Sequence, residues 1–334
     1  MSARRVAEIA ENIRTMRTRG AGEIARAAAH GLIIAATESR ATSVQDFVSD
    51  LETDAQALLH TRPTAVSLPN AIRFIMYRVK SFAQKALDVE SLRAFTLSVG
   101  QNFINSSRMA KEIIGEIGAR RIRDGDVLLT HCNSSATTSI FISAAKMGKK
   151  IKVFATETRP LYQGHITVKE LTDAGIDVTV MVDSAVRHVM HEVDRVVVGA
   201  DAVAANGAVV NKIGTSLIAL AAHEAGVRFF VAAETFKFSP ETLIGGLVEI
   251  EERSPTELVD EEFLKANPRI SFKNPSFDIT PPEYIDLIIT ERGVIPPQGA
   301  FLVLREEFGW AIGEEAPLEH RGVKIAPEEE FQNS

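Results

Sequence analysis

The sequence predicts an α/β protein in which an all-helical N-terminal domain precedes a Rossmann-like domain built on a parallel sheet. Through roughly the first 120 of its 334 residues, apolar side chains recur at helical spacing and no stretch alternates as a strand does. From Val127 onward, short apolar runs alternate with helical patterns at intervals of roughly 20–30 residues, which is typical of βαβ units. We therefore expect a helical domain over 1–122 and a catalytic α/β domain over 123–334.

The helical half is predicted from periodicity and from residues that begin or break helices. A turn at Gly20-Ala21-Gly22 separates the first two helices, Ser43 is a good N-cap for the third, and the sequence around Pro63 breaks it. The predicted helices cover 6–16, 24–33, 43–60, a run that follows Pro69, and 88–120.

The second half is predicted as strands that alternate with helices. The predicted strands cover 127–130, 151–155, 178–182, 195–198, 228–232 and 287–290. The predicted helices cover 135–146, 168–174, 184–191, 215–224 and 298–307. A charged stretch with several prolines, 251–282, is expected to interrupt the sheet, and the acidic tail from Glu314 is expected to be loosely held.

Composition narrows the class of protein. With 45% hydrophobic and 24% charged residues, the chain is ordinary for a soluble globular protein. A single cysteine fits a reducing compartment, and the N-terminus lacks the apolar core of a signal peptide, so we expect a cytoplasmic protein without a membrane segment. A net charge of −7 without a basic stripe argues against nucleic-acid binding.

Chemistry-bearing residues follow the predicted strands, whose carboxyl ends share one edge of a parallel sheet. Cys132 follows the first strand, where a cysteine that serves only packing would lie inside the apolar run. It is a candidate nucleophile or acid/base group, with a structural cysteine as the alternative. Asp201 ends a Gly-Ala-Asp turn after the fourth strand, and small residues there let a ligand approach the backbone. Asp183-Ser184, after the third strand, is interpreted as a helix cap.

Two groups of residues at these strand ends are suited to bind anions. Asn211-Lys212 precedes a helix and combines a cation with free backbone N–H groups, which favours a phosphate. Ser134-Ser135-Ala136 begins a second helix beside the thiol, and Lys237 and Arg159 add cations. Two anion sites on either side of a cysteine and an aspartate indicate a sugar bisphosphate.

Nothing in the sequence indicates a metal or a nucleotide cofactor. One cysteine cannot build a zinc centre, and His188 and His191 are interpreted as helix-surface residues. No phosphate-binding glycine loop of the dinucleotide or Walker type follows a strand. We expect no cofactor.

Several motifs together identify a family resemblance. The chain resembles the archaeal ribose-1,5-bisphosphate isomerases, within a superfamily that also contains methylthioribose-1-phosphate isomerases and regulatory subunits of the initiation-factor-2 guanine-nucleotide exchange factor. The motifs that carry the resemblance are 19–22 (RGAG), 61–68 (TRPTAVSL), 129–135 (LTHCNSS), 157–160 (ETRP), 198–201 (VGAD), 206–215 (NGAVVNKIGT) and 289–293 (ITERG).

Three residue choices favour the bisphosphate branch of this superfamily. Cys132 and Asp201 are both present, whereas the regulatory subunits generally lack the thiol. Methylthioribose-1-phosphate isomerases have Ala and Gly where this chain has Ser134-Ser135, and they tend to carry an acidic residue where it has Lys237. The regulatory subunits share that lysine, so Lys237 alone does not decide. The alternatives are a methylthioribose-1-phosphate isomerase and a non-catalytic regulatory homologue.

The resemblance implies a set of site residues. It implies that Cys132 and Asp201 form the catalytic pair. It implies one phosphate seat formed by Arg19, Gly20, Ala21, Gly22 and Arg62, and another formed by Ser134, Ser135, Ala136 and Lys237. Asn211 and Lys212 would face the sugar or its 1-phosphate, with Arg159 and Gln163 as further ligands. It also implies a role in archaeal AMP and nucleoside salvage and a homo-oligomer, either a dimer or a trimer of dimers.

The implied reaction needs an acid and a base. Opening the ring of a sugar that is phosphorylated at C1 requires a proton on the ring oxygen and the transfer of a proton from C2 to C1. Our hypothesis assigns the ring oxygen to a protonated Asp201 and C2 to a Cys132 thiolate favoured by the following helix N-terminus. The reverse assignment remains open at this point.

Overall fold

The helical half folds as five helices. The computed structural model describes residues 2–62, 65–246 and 248–313, so the predicted acidic tail from Glu314 lies outside the described residues. The helices are α1 (Ser2–Arg14), α2 (Ala21–Glu38), α3 (Val44–Leu59), α4 (Ser67–Ala83) and α5 (Val89–Ala119). Their order and positions confirm the predicted helices.

Polar caps and one apolar core explain these helices. The Ser43 hydroxyl accepts from the amide of Asp46 and the Asp88 carboxylate accepts from the amide of Ser91, so both residues are N-caps. Inward-facing side chains such as Phe47 form a core that is wholly buried. Within the described residues, no helix has the length and apolar character needed to cross a membrane.

The second half is organised by a seven-stranded sheet with the strand order β10-β9-β7-β4-β1-β2-β3. Every pairing is parallel except that of β10 with β9. The strands are β1 (Val127–Thr130), β2 (Lys152–Thr156), β3 (Asp177–Met181), β4 (Arg195–Gly199), β7 (Arg228–Ala232), β9 (Leu287–Thr290) and β10 (Gly293–Ile295). The predicted fold class is confirmed.

Helices pack on both faces of this sheet, as expected for βαβ units. They are α6 (Ser135–Lys146), α7 (Gly164–Asp173), α8 (Val186–Val189), α9 (Thr215–Ala225) and α11 (Ala300–Gly313). The predicted helix over 184–191 is instead the single-turn α8 between two 3-10 turns. The other four helices lie where the sequence predicts them, within a few residues.

A second, three-stranded sheet was not predicted. It consists of β5 (Ala202–Val203), β6 (Val209–Lys212) and β8 (Phe277–Thr280), paired antiparallel in the order β5-β6-β8. These strands are two to four residues long, too short for a clear alternating pattern. The stretch 251–282 is therefore more than an interruption, because it carries a short helix, α10 (Glu261–Ala266), and delivers β8 to the edge of β6.

The two halves are joined by the packing of α5 against α6. Gly115 and Gly118 lie one turn apart on α5, and a side chain at either position would overlap Ser139 or Ile140 of α6. The absence of side chains at these positions lets the two helix backbones approach closely. Since α6 begins just beyond Cys132, this contact fixes the helical half relative to the strand ends.

A buried ion pair ties the start of β1 to β4. The Arg195 Nη1 lies 3.1 Å from the Asp126 Oδ2, and both side chains are less than a tenth exposed. Arg195 also donates from Nε to the carbonyl of Arg121 at 3.1 Å, at the end of the connection from α5. The pair therefore joins the helical half to the sheet at the edge opposite the strand carboxyl ends.

Arg195→Met should destabilise the protein by about 3 to 5 kcal/mol, because it leaves the buried carboxylate of Asp126 without its partner. The measurement is the free energy of unfolding from urea denaturation. The matched control is Arg187→Met, which removes an exposed pair with Glu224 and should cost less than about 1 kcal/mol. Equal losses in the two variants would contradict this account.

Candidate active site

The candidate site lies at the point where the strand order reverses. The strands run from β1 to β3 on one side and from β4 to β9 on the other, so the carboxyl ends of β1 and β4 flank a crevice. Open α/β sheets bind their ligands in such crevices. Cys132 follows β1 and Asp201 follows β4, so the chain order of the strands brings the two predicted catalytic residues together.

A cavity that opens to solvent lies between this edge and the helical half. Among the predicted site residues, those that line it are Arg19, Gly20, Ala21, Arg62, Cys132, Gln163, Asp201, Asn211 and Lys212. Cations from both halves of the chain thus face the cysteine and the aspartate. Within the described residues, no group of three or more His, Cys, Asp or Glu converges as a metal-binding cluster.

The backbone of Cys132 is held in a left-handed conformation, with φ at 65°. Its N–H donates to the Thr158 Oγ1 at 2.9 Å, and its carbonyl accepts from the Thr167 Oγ1 at 2.8 Å. Both polar groups of the peptide backbone at this residue are therefore satisfied by threonine hydroxyls. This arrangement stabilises a conformation that non-glycine residues seldom adopt.

His131 links the end of β1 to the loop that carries Lys212. Its Nδ1 lies 2.6 Å from the Thr156 Oγ1 and its Nε2 lies 2.8 Å from the carbonyl of Ile213. A carbonyl only accepts, so Nε2 carries the proton and Nδ1 accepts from the threonine. Burial lowers the pKa of His131, which keeps the ring neutral in this role. Sequence reasoning missed this residue.

Burial of the Cys132 side chain raises the pKa of its thiol to about 12, while Lys212 lowers it by a smaller amount. Desolvation disfavours the charged form of a buried group. The expected thiolate, favoured by the N-terminus of α6, stays a prediction.

The surroundings of Asp201 shift the pKa of its carboxyl group in both directions. Burial raises the pKa of its carboxyl group, and three cations oppose that effect, in the order Lys237, Lys212 and Arg62. Its backbone N–H donates to the carbonyl of Val210 at 2.9 Å, which fixes the end of the Gly-Ala-Asp turn against β6. Asp201 is therefore a carboxyl group whose affinity for protons is tuned by opposing influences.

The RGAG motif forms the entry to α2. Gly20 is the N-cap of that helix with φ at 83°, a value that favours glycine. Arg19 donates from Nε to the carbonyl of Met16 at 2.7 Å. Gly22 lies outside the cavity lining, and a side chain there would approach the carboxylate of Glu234 at 3.6 Å. Arg62, which also belongs to the helical half, donates to Glu251 at 2.7 Å.

The residues of the second predicted phosphate seat lie outside the cavity lining. Lys237 is buried and pairs with the buried Glu234 at 2.7 Å. The Ser134 hydroxyl caps α6 by accepting from the amide of Thr137. Ser135 is exposed and Ala136 is buried. The structure thus places these residues at the start of α6 and behind the cavity wall, and their role as ligands stays a prediction.

Arg159, predicted as a further ligand, contacts its own loop. Its Nη1 donates to the Tyr162 hydroxyl at 2.6 Å, and its guanidinium lies over that ring at 5.1 Å from the centroid. The interpretation of Asp183 as only a helix cap needs correction, because its carboxylate accepts from the amides of Thr158 and Arg159 at 2.8 and 2.7 Å. Asp183 therefore braces the loop that supports Cys132.

The start of α9 also differs from the prediction. The Asp278 carboxylate, from β8, accepts from the amide of Gly214 at 2.8 Å and from that of Ser216 at 3.1 Å. We expected both of these N–H groups to be free to bind a phosphate. That expectation is wrong, because the Asp278 carboxylate accepts a hydrogen bond from each of them. Asn211 donates to the Thr215 hydroxyl at 3.0 Å. The sequence does not indicate the contact between Asp278 and α9, because it depends on the pairing of β8 with β6, which was not predicted.

Fold and site together define a class of protein: a Rossmann-like sheet whose reversal point faces a helical cap, with a cysteine and an aspartate between them. Comparison with known proteins makes this specific. The model of the initiation factor 2 subunit family matches residues 17–297, and the chain belongs to this family.

Curated relatives fall into two named groups. The ribose 1,5-bisphosphate isomerase of Thermococcus kodakarensis is 54% identical over 315 residues, which cover 94% of this chain and 98% of the relative. That of Pyrococcus furiosus is 54% identical over 96% of this chain and 99% of the relative. The methylthioribose-1-phosphate isomerase of Thermosipho melanesiensis is 37% identical over 89% of this chain and 88% of the relative.

Solved structures show the same fold. A Pyrococcus horikoshii translation initiation factor eIF-2B superposes with a TM-score of 0.74 at 32% identity, covering 88% of this chain and 97% of that one. The 5-methylthioribose 1-phosphate isomerase of the same organism superposes with a TM-score of 0.74 at 31% identity, covering 91% and 88%. The predicted resemblance is confirmed, and so is the prediction of an enzyme of the sugar phosphate isomerase class.

Asp278→Asn should change how stability depends on pH. Burial raises the pKa of Asp278 to about 6, so the folded protein binds this proton more tightly than the unfolded chain. That contribution to stability is complete below about pH 4 and is lost as the pH rises through about 6. The free energy of unfolding of the unsubstituted protein, relative to the variant, should therefore fall over this range.

Urea denaturation at about four pH values between roughly pH 4 and pH 7 provides the measurement. Asp177→Asn removes an exposed carboxylate and serves as the control, for which no such trend is expected. A difference that stays constant or grows with pH for Asp278→Asn would show that its carboxyl group titrates normally.

Proposed function

We propose that this protein isomerises ribose 1,5-bisphosphate to ribulose 1,5-bisphosphate. One observation carries the proposal: Cys132 and Asp201 share a cavity at the reversal point of the sheet, with Arg19, Arg62 and Lys212 in its walls. The relatives named for this reaction are 54% identical over nearly their whole length, which supports the same substrate.

The distribution of positive charge fits a substrate with a phosphate at each end. Arg19 and Arg62 come from the helical half, and Lys212 comes from the end of β6, so the cations lie on opposing walls. We assign one phosphate to Arg19, Arg62 and the backbone from Gly20 to Gly22, near the N-terminus of α2.

We assign the other phosphate to the N-terminus of α6, where Ser134, Ser135 and Ala136 present backbone N–H groups. In this assignment Lys237 exchanges its contact with Glu234 for the phosphate. The sugar between the two seats then faces Asn211 and Lys212, with Gln163 and Arg159 near the rim.

The reaction begins with ring opening. The bond between C1 and the ring oxygen breaks as the proton on C2 leaves, and the ring oxygen gains a proton to become the C4 hydroxyl. The electron pair of the C2–H bond forms a double bond between C1 and C2, giving an enol that keeps its phosphate on C1. This step needs an acid at the ring oxygen and a base at C2.

We assign the role of acid to Cys132 and that of base to Asp201. The thiol carries its proton because burial raises its pKa to about 12, and it remains a stronger acid than the sugar hydroxyl that it creates. Asp201 is a stronger base than an ordinary carboxylate because burial raises its pKa, while the nearby cations favour its ionised form. This reverses the assignment that the sequence favoured.

The second step returns both groups to their starting states. Asp201 delivers its proton to C1, and the Cys132 thiolate removes the proton from the C2 hydroxyl, so that a ketone forms at C2. Lys212 lowers the pKa of the thiol and so stabilises the transient thiolate. All protons are conserved over the cycle, and each residue acts once as acid and once as base.

We further propose a division into domains at residue 122, a place in archaeal AMP and nucleoside salvage, a cytoplasmic location, and assembly as a dimer or a trimer of dimers.

The purified chain should convert ribose 1,5-bisphosphate with a kcat/KM at least roughly a hundred-fold above that for methylthioribose 1-phosphate, because the latter leaves one phosphate seat empty. Phosphorus NMR on both substrates under the same conditions measures this. The opposite preference would favour the methylthioribose-1-phosphate isomerase alternative, and turnover of neither substrate would favour a non-catalytic regulatory homologue.

Cys132→Ser and Asp201→Asn should each lower kcat by roughly a hundred-fold or more, since each removes one proton-transfer group from the reaction. Ribulose 1,5-bisphosphate binding, measured by calorimetry, should stay within about three-fold and provides the control for folding. Retained turnover in Cys132→Ser would remove the thiol from the mechanism, and retained turnover in Asp201→Asn would remove the carboxylate.

A further inference from the structure

One wall of the cavity comes from the stretch that the sequence presented as an interruption. Val248, Glu249, Arg253, Glu257 and residues 274–277 all line the cavity. Arg253 is the basic residue among them, and its side chain is about one-sixth exposed. The predicted phosphate ligands did not include it, because nothing in the local sequence around 253 marks an anion site.

The first contact of Arg253 links it to Arg62. The Glu251 Oε1 lies 3.2 Å from the Arg253 Nε, and its Oε2 accepts from the Arg62 Nη2 at 2.7 Å. One carboxylate therefore holds the two guanidinium groups at its two oxygens. Arg62 and Arg253 line the cavity and Glu251 does not, so the carboxylate supports them from behind.

The second contact links Arg253 to Arg19. Arg253 contacts the sulfur of Met16 through Nη1, and the carbonyl of the same methionine accepts from Arg19. Met16 has φ at 58°, in the turn after α1. Met16, in this turn, therefore contacts both Arg253 and Arg19, the arginine of the RGAG motif.

The third contact links Arg253 to the loop of Lys212. The Arg253 Nε donates to the Ser276 hydroxyl at 2.8 Å. The carbonyl of Ser276 accepts from the amide of Ile213 at 3.1 Å, next to Lys212. Glu251 thus connects Arg253 with Arg62, and Met16 connects it with Arg19. Ser276 and Ile213 together connect it with Lys212.

We propose that Arg253 is a phosphate-binding residue and completes the seat formed by Arg19 and Arg62. The contacts of Arg253 with Glu251, Glu257, Ser276 and Met16 use its Nε and Nη1. A guanidinium group has five N–H donors, so Nη2 is suited to bind an anion in the cavity. Glu251 and Ser276 orient the group in advance. This inference rests on the proposed function for the identity of the ligand, a sugar bisphosphate.

The test compares Arg253→Met with Arg269→Met in the full chain. Arg269 lies in the same stretch and is exposed, so its variant controls for the loss of one positive charge. Steady-state kinetics with ribose 1,5-bisphosphate give KM and kcat, and calorimetry gives the affinity for inorganic phosphate. Arg253→Met should raise KM by roughly ten-fold or more with kcat within about three-fold, and should weaken phosphate binding in parallel.

Arg253→Lys distinguishes a role of Arg253 in phosphate binding from a purely structural role. The ammonium keeps the charge and loses the planar fork, so the KM of this variant should lie between those of Arg253→Met and the unsubstituted protein. If Arg253→Met does not fold, Arg253→Lys decides, with a raised KM as the supporting result. An unchanged KM and an unchanged affinity for phosphate in the folded variants would overturn the proposal.

The two proposals fail in different ways. If the unsubstituted protein does not convert ribose 1,5-bisphosphate, the proposed function fails, and phosphate binding by the same variants still tests Arg253. Phosphate affinities that are equal in Arg253→Met and Arg269→Met, or phosphate binding that is absent from the unsubstituted protein, would overturn the role of Arg253.

Discussion

The close contact between α5 and α6 is the constraint on which the rest of the site depends. Gly115 and Gly118 permit it, and α6 starts three residues beyond Cys132. A bulkier residue on this face of α5 would push the helical half away from the sheet. Arg19 and Arg62 belong to that half, so their distance from the strand ends is set by the packing of two glycines.

A second anchor fixes the same half from the other side of the cavity. The buried side chain of Asn70, on α4, donates to the carbonyls of Phe236 and Phe238 at 2.8 Å each. The intervening Lys237 is the residue that most strongly lowers the pKa of Asp201. The helical half therefore lines the cavity with Arg19 and Arg62 and also helps to hold the cation that most strongly lowers the pKa of Asp201.

The seven-stranded sheet was largely predictable from the sequence, because buried parallel strands are continuous apolar runs and the residues after them are polar. On that ground Cys132 and Asp201 are candidates, and the family resemblance implies that they form the catalytic pair. Residues that act through tertiary contacts could not be found this way. Asp278 reaches α9 through a strand too short to show a pattern. Arg253 is brought near Arg62 by the carboxylate of Glu251, which lies 189 residues from Arg62 in the chain.

The direction in which the pKa of Cys132 shifts could not be predicted from the sequence, for a different reason. The helix that follows is visible in the sequence, but the desolvation of the thiol depends on the tertiary packing around it. Burial also raises the pKa of Asp201. The wall that contains Arg253 is joined to the α/β half by the pairing of β8 with β6 and by the contact of Asp278 with the start of α9. None of its residues belongs to the seven-stranded sheet, so substitutions in that wall can change the lining of the cavity while the sheet and the cysteine loop stay intact.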